Sequence, residues 1–133
     1  MMVHGACHCG AIAYEAEVDP ARATVCHCGD CQTLSGAAFR ASVPANVEDF
    51  HLLKGVPKTY VKTAESGNRR IQAFCGDCGS PLYSADEVGA KTRTLRIGVM
   101  AERASLPPQR QIWCESALPW SQDLLPLPKI DKQ

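Results

Sequence analysis

Cysteine dominates the chemistry available to this sequence, because eight cysteines occur and seven of them fall into three clusters. The clusters are Cys7-His8-Cys9-Gly10, Cys26-His27-Cys28-Gly29-Asp30-Cys31 and Cys75-Gly76-Asp77-Cys78-Gly79. Thiolates spaced this closely are typical of zinc ligands in a reducing compartment, whereas a small secreted protein would use its cysteines for disulfides. We see no signal peptide at the N-terminus and therefore expect a cytoplasmic protein. The sequence thus predicts a zinc-binding protein.

A four-cysteine site follows from pairing the first cluster with the third. A Cys-x-x-Cys turn such as Cys75 to Cys78 brings two sulfurs to one side of a tight loop, and a structural zinc ion needs two more ligands. Cys7 and Cys9 supply them if they lie in an extended strand, where residues i and i+2 point to the same face. We therefore predict a structural zinc site with four ligands: Cys7, Cys9, Cys75 and Cys78.

The middle cluster supplies three sulfurs and so predicts a second zinc ion held by Cys26, Cys28 and Cys31. A catalytic zinc ion differs from a structural one in that one coordination position stays open for water or substrate. Because thiolate is a soft ligand, a thiol substrate suits that position, and zinc would deprotonate the thiol for nucleophilic attack. These three cysteines are therefore also the candidate catalytic residues.

Two alternatives to an open site remain. Cys114 could close the site as a fourth ligand, although its position after Ile112 and Trp113 in a strand-like segment favours a buried apolar role. The three clustered cysteines could also form a reversible disulfide. His8 and His27 resemble ligands, but strand alternation would turn their rings away from the metal. We expect these histidines to be solvated or to contact the ligands from behind.

Short alternating runs predict a mostly β fold that positions these clusters. Residues 12–18 alternate with Ile12, Tyr14, Ala16 and Val18 on one face. The other strand candidates are residues 37–43, 59–63, 70–74, 81–84, 92–99 and 111–114. Helix is expected for only one or two turns, at residues 29–34. With 133 residues, we expect one zinc-binding domain over residues 1–133, in which residues 121–133 form a surface tail.

Charge and hydropathy restrict the classes of partner. Fourteen basic residues balance fourteen acidic ones, and no basic stretch indicates a nucleic-acid surface. No apolar run approaches the roughly 20 residues that cross a bilayer. We therefore expect small-molecule partners, without nucleic acid or membrane, and leave the oligomeric state open with a homodimer as one alternative. Arg40, Arg69 and Arg70 are candidates for binding ligand carboxylates, and solvated surface arginines are the alternative.

The order and spacing of the motifs are those of a known family. Gly5-Ala6 precedes the first cluster, Ser35-Gly36-Ala37 follows the second, and the third lies between Phe74 and Ser80-Pro81-Leu82. Pro119-Trp120 matches the usual ending. Together these residues resemble the glutathione-dependent formaldehyde-activating enzyme family, which also contains centromere protein V. The resemblance extends from about Gly5 to Trp120, and the chain resembles a short member.

The resemblance implies a β-tent fold, in which antiparallel sheets surround a structural zinc ion. It implies the same division of the seven cysteines into four structural ligands and three ligands of an exchangeable zinc ion. It also implies a carbon–sulfur lyase that condenses glutathione with formaldehyde to S-hydroxymethylglutathione, so that glutathione is the expected thiol co-substrate. The alternative is a non-enzymatic zinc-binding module that senses thiols or metal, or that binds a protein partner.

Overall fold

The computed structural model describes residues 1–133 and consists mainly of short strands. The strands are β1 (Met2–Ala6), β2 (Ala13–Glu17), β3 (Thr24–Cys26), β4 (Arg40–Asn46), β5 (Phe50–Lys54), β6 (Lys58–Thr63), β7 (Arg69–Phe74), β8 (Pro81–Asp86), β9 (Thr92–Arg96) and β10 (Arg110–Ile112). The α-helix α1 spans Gly29–Ser35. Single 3-10 turns occur at Pro20–Arg22, Val47–Asp49, Ile97–Val99, Arg103–Ser105 and Cys114–Ser116. The predicted mostly β class is confirmed.

The strands form two sheets. A three-stranded sheet has the order β1-β2-β5, and a seven-stranded sheet has the order β10-β3-β4-β9-β8-β7-β6. Every pairing is antiparallel except that of β10 with β3, which is parallel. An isolated bridge between Gly5 and Met100 connects β1 to the segment that follows β9. The predicted antiparallel arrangement is therefore also confirmed.

The core lies between the two sheets and contains 18 buried apolar residues. The predicted alternation in residues 12–18 is confirmed, because Ile12, Tyr14, Ala16 and Val18 are all buried. The Tyr14 ring packs against Phe50, with 4.9 Å between the ring centroids. Phe50 of β5 in turn packs edge-on against Tyr83 of β8, with 5.2 Å between the ring centroids, so this face joins the smaller sheet to the larger one. Burial of side chains of this size contributes roughly 1.5–3 kcal/mol each.

Several strand boundaries differ from those predicted. Strand β4 begins at Arg40 and not at Ala37, because Gly36 ends helix α1 in the left-handed conformation, with φ of 63°. The chain then needs the next three residues to turn back into the sheet. Strand β9 ends at Arg96, where the Ile97–Val99 turn begins. Strands β1, β3 and β5 were not predicted, whereas the short helix at residues 29–34 was.

The C-terminal residues 121–133 contain turns, and all of them except Ser121 are exposed. The chain has no helix with the length and apolar character that are needed to cross a membrane.

Candidate metal centre

Two similar turns carry the cysteines of the first and third clusters. Gly10 donates its N–H to the Cys7 carbonyl at 3.1 Å, and Gly79 donates its N–H to the Cys75 carbonyl at 2.8 Å. Both glycines have φ of 79°, a conformation that costs glycine little. The prediction that Cys7 and Cys9 lie in an extended strand was wrong, since β1 ends at Ala6. Glycine at position 10 instead allows a turn there.

The four sulfurs of Cys7, Cys9, Cys75 and Cys78 all lie within 4.8 Å of one another. The Cys7 and Cys9 sulfurs are 3.6 Å apart, and the Cys9 and Cys75 sulfurs are 3.7 Å apart. A disulfide would need about 2.05 Å, whereas four thiolates at about 2.3 Å from a tetrahedral zinc ion would be about 3.8 Å from one another. The donor set and its spacing therefore fit a zinc ion.

Hydrogen bonds reach the Cys7 and Cys78 sulfurs of this cluster. The Ile12 N–H donates to the Cys7 sulfur at 3.2 Å, and Ser80 contacts the Cys78 sulfur at 3.3 Å through its hydroxyl. The Ser80 side chain, followed by backbone hydrogen bonds from Ser80 and Cys9, lowers the pKa of Cys78 to about 5. Ser80 also accepts the His8 N–H at 3.0 Å and so joins the two turns.

The middle cluster lies where β3 meets α1. Cys26 is the last residue of β3, Cys28 is the N-cap of α1 and Cys31 is buried in its first turn. The three sulfurs lie within 4.8 Å of one another, and the Cys28 sulfur accepts the Cys31 N–H at 3.2 Å. The structure thus brings together the three sulfurs that the sequence assigned to the second metal site.

The thiols of this triad differ in their pKa values. Burial raises the pKa of Cys31 to about 12, against the opposing charge of Arg40. Burial also acts to raise the pKa of Cys28, but hydrogen bonds from the Cys31 thiol and N–H outweigh it, and the pKa of Cys28 is lowered. Burial raises the pKa of Cys26 as well. Among the three thiols, the pKa is lowered only for Cys28.

Two further residues were considered as ligands from the sequence. His27 is buried, with 1 % of its surface exposed, so the solvated one of the two expected arrangements does not apply to this residue. Its Nε2 atom lies 2.8 Å from Gln111 Oε1, and its ring packs edge-on against Phe39. Cys114 was expected to be buried in a strand, but it is exposed and begins a 3-10 turn. Its sulfur is not part of the triad, so the structure does not bring a fourth cysteine there.

The first of two cavities beside the triad has a volume of about 370 Å³ and is lined by Cys26 and Cys31. We call it the cationic cavity, because six basic and no acidic side chains line it: Arg22, Arg40, Lys62, Arg70, Arg96 and Arg110. The sequence had indicated only Arg40 and Arg70 of this set. Arg96 was missed because an arginine within a strand carries no local signal of burial.

The second cavity, of about 550 Å³, is lined by Cys28, Lys62 and Trp113 among others. Trp113 has φ of 56° and ψ of 40°, a left-handed conformation that residues other than Gly, Asn and Asp seldom adopt. Trp113 is 48 % exposed and lines this cavity. The triad is thus accessible from two directions.

Arg69, the third predicted carboxylate-binding arginine, does not line the cationic cavity. Its guanidinium forms two hydrogen bonds with Glu87, at 2.9 and 3.1 Å, on the exposed end of β7. Successive residues of a strand point to opposite faces, so Arg70 reaches the cavity while its neighbour does not.

Comparison with known proteins places the chain in a family. Residues 2–116 match the family model described as glutathione-dependent formaldehyde-activating enzyme. The chain belongs to this family. No curated protein matches the sequence. A crystal structure of a Rhodobacter sphaeroides protein is similar, with a TM-score of 0.63 and 19 % identity over 81 % of this chain and 98 % of that chain. At that identity, the similarity establishes the shared fold.

All seven clustered cysteines lie within the residues that match the formaldehyde-activating family. Membership of this family is consistent with metal-binding cysteines and with small thiol and aldehyde substrates, and it supports an enzyme-like role.

Proposed function

We propose that the protein is a zinc-dependent enzyme of the carbon–sulfur lyase type that joins a small thiol to an aldehyde. Glutathione and formaldehyde are the pair that its family indicates. The observation that carries the proposal is the Cys26, Cys28 and Cys31 triad, whose three sulfurs lie together between two cavities without a fourth protein ligand. A three-ligand site with space beside it is the arrangement that catalytic zinc requires.

The proposal gives the two cysteine clusters different roles. Cys7, Cys9, Cys75 and Cys78 would hold a structural zinc ion, because four thiolates leave no position for a substrate. Cys26, Cys28 and Cys31 would hold an exchangeable zinc ion. When bound there, zinc supplies a positive charge that keeps a neighbouring thiol deprotonated near neutral pH.

The reaction needs no oxidant or reductant. A bond forms between the thiol sulfur and the carbonyl carbon, the carbonyl π bond breaks, and the proton lost by the thiol ends on the new hydroxyl group. The residues of the chain hold the two reactants next to each other, which raises their effective concentration. No acidic residue or histidine lines the cationic cavity, whereas Asp30 and Glu65 line the second cavity, and we assign no single residue to the proton transfer.

The experiment that tests the proposal is NMR exchange spectroscopy of formaldehyde and glutathione at equilibrium. The zinc-loaded protein should accelerate the exchange above its uncatalysed rate, the Cys28→Ser variant should not, and the Cys114→Ser variant should behave as the wild type. Cys114→Ser is a matched control, because it removes a thiol outside both clusters. Absence of acceleration with both zinc sites loaded, for glutathione and for its N-acetyl derivative alike, would contradict the proposal and favour a binding or sensing module.

A further inference from the structure

The basic side chains of the cationic cavity are mostly uncompensated. Lys62 pairs with Asp30 at 2.7 Å and Arg70 pairs with Asp86 at 2.9 Å, but both carboxylates are outside the cavity lining, with 61 % and 51 % of their side chains exposed. The other four cations have no carboxylate partner: Arg22, Arg40, Arg96 and Arg110. The cavity therefore carries a local excess of positive charge.

Arg96 is the strongest sign that this charge serves a ligand. Its residue surface is only 5 % exposed. Its guanidinium donates to the Ser42 hydroxyl at 3.0 Å, to the Thr94 carbonyl at 3.1 Å and to Gln72 Oε1 at 3.2 Å, all of which are neutral acceptors. Burial, followed by the repulsion of Arg40, lowers the pKa of Arg96. A buried charge without a carboxylate partner is unfavourable; Cys31 opposes this charge when it is ionised, and an anionic ligand would add a further counter-charge.

Gln72 adds a second, independent observation. Its Oε1 accepts one hydrogen bond from Arg40 and one from Arg96, each at 3.2 Å. Since a guanidinium group only donates, these bonds fix which end of the amide is the oxygen. The Nε2 group is left buried without a partner. An unmade buried hydrogen bond is costly, so the amide is held in this orientation by the two guanidiniums at the expense of its own donor.

The same cavity brings the cations next to the reacting sulfurs, because Cys26 and Cys31 line it together with Arg40 and Arg96. Its volume of about 370 Å³ is at the lower end of the usual range for small-ligand sites, roughly 300–1,000 Å³. One small molecule can therefore place its sulfur at the triad and its oxyanion groups against the arginines.

The absence of acidic side chains in the lining discriminates among thiols. Glutathione carries two carboxylates and one ammonium group, and the ammonium is on the same carbon as one of the carboxylates. A like charge brought into a partly desolvated cavity is repelled by more than it would be in water. Glutathione can thus offer only its glycine carboxylate without bringing its ammonium group close to the guanidiniums.

We propose that the cationic cavity selects thiols whose charged groups are all oxyanions, such as mercaptocarboxylates, and that it disfavours thiols with a free ammonium group, glutathione included. This inference rests on the proposed function for the identity of the site, and it names the substrate class of that site. Arg40 and Arg96 are the residues that would contact the oxyanion, and Gln72 holds their guanidiniums in place.

The test compares glutathione with N-acetylglutathione, which has the same thiol and carboxylates but no ammonium group. Binding to the zinc-loaded protein is measured by isothermal titration calorimetry, with both the free thiols and their S-methyl derivatives. The S-methyl forms report on the anion-binding residues, because they cannot bind as thiolates. We expect N-acetylglutathione to bind about tenfold more tightly or better, in both forms.

Arg40→Gln and Arg69→Gln are the matched variants. Each removes one positive charge from the same sheet, but only Arg40 lines the cavity. Arg40→Gln should reduce the preference for N-acetylglutathione at least severalfold, and Arg69→Gln should leave it unchanged. Equal or tighter binding of glutathione would overturn the inference, as would an equal loss in both variants.

The two proposals can fail separately. If the acetylated thiol is preferred but no thiol accelerates aldehyde exchange, the oxyanion selectivity stands and the proposed enzyme activity is refuted. If exchange is accelerated and glutathione is the preferred thiol, the activity stands and the selectivity is refuted.

Discussion

Replacing Cys78 by serine separates a structural metal site from a catalytic one. Cys78 is exposed, and serine is close to cysteine in size, so the substitution removes little packing. It does remove one of four sulfurs that lie within 4.8 Å of one another. The sulfurs come from the segment after β1 and from the turn between β7 and β8. Loss of the ion would therefore remove the cross-link between the N-terminal segment and the larger sheet.

The expected loss of stability is large. Binding of structural zinc contributes roughly 10–16 kcal/mol in zinc-finger peptides, and a whole domain is stable by about 5–15 kcal/mol. The lower of these zinc-binding free energies is about 10 kcal/mol. If the three remaining thiolates retain two thirds of it, the free energy of unfolding of the variant is lower by about 3 kcal/mol. At about 4 °C per kcal/mol for a chain of this size, the Tm should fall by about 12 °C or more. Differential scanning calorimetry together with metal analysis measures both effects.

Cys28→Ser is the matched control, because it removes one sulfur from the other cluster. We expect this variant to lose the second metal ion and the thiol chemistry, while its Tm falls by no more than about 4 °C, equivalent to about 1 kcal/mol. The reasoning is refuted if Cys78→Ser keeps two metal ions and the wild-type Tm. It is equally refuted if Cys28→Ser unfolds as readily as Cys78→Ser, because both clusters would then be structural.

Three further predictions concern the frame around the sites. Gly5→Ala should lower the free energy of unfolding, measured in urea, by about 2–3 kcal/mol, because the added Cβ would lie 2.1 Å from the buried Tyr14 ring. Gly98→Ala is the control, since a Cβ added there has no atom within 4 Å. Tyr14→Phe should leave stability unchanged or raise it by up to about 1 kcal/mol, because the Tyr14 hydroxyl is buried without a partner; a clear loss would contradict this. The His4 side chain lowers the pKa of Glu102 by hydrogen bonding, so this stabilisation is present above the ordinary Glu pKa and is lost as pH falls through the lowered one. The small stability difference between wild type and Glu102→Gln should therefore shrink between pH 6 and pH 3 in urea titrations, and a constant difference would refute the pairing.

Cysteine spacing was sufficient to predict which sulfurs meet, but not how the backbone brings them together. Cys7 and Cys9 were grouped with the later pair because an extended strand would turn both sulfurs to one face, and the turn that forms instead brings the same sulfurs together. The strand predicted for them is a turn, because Gly10 adopts a positive φ. Spacing of ligands is local information, whereas the choice between strand and turn depended on one following glycine.

The cationic cavity could not be predicted, because it depends on strand order and register. Arg40, Arg70 and Arg96 come from β4, β7 and β9, which are separated along the chain but belong to one sheet. Ser42 stands opposite Arg96 in the β4–β9 register, and this pairing places an acceptor where the buried guanidinium needs one. Such registers are set by contacts between distant segments, for which one sequence has no local pattern.

A formal net charge of zero is compatible with a strongly cationic site, because the charges are sorted by position. Six basic side chains line one cavity, while the carboxylates that pair with two of them are on the exposed surface. Solvent and salt screen exposed charges more than charges inside a cavity. The local field, and not the net charge, therefore decides which anion enters. In the functions proposed above, the cysteines bind the metal and the arginines select the thiol, so relatives that share the cysteines need not share the substrate.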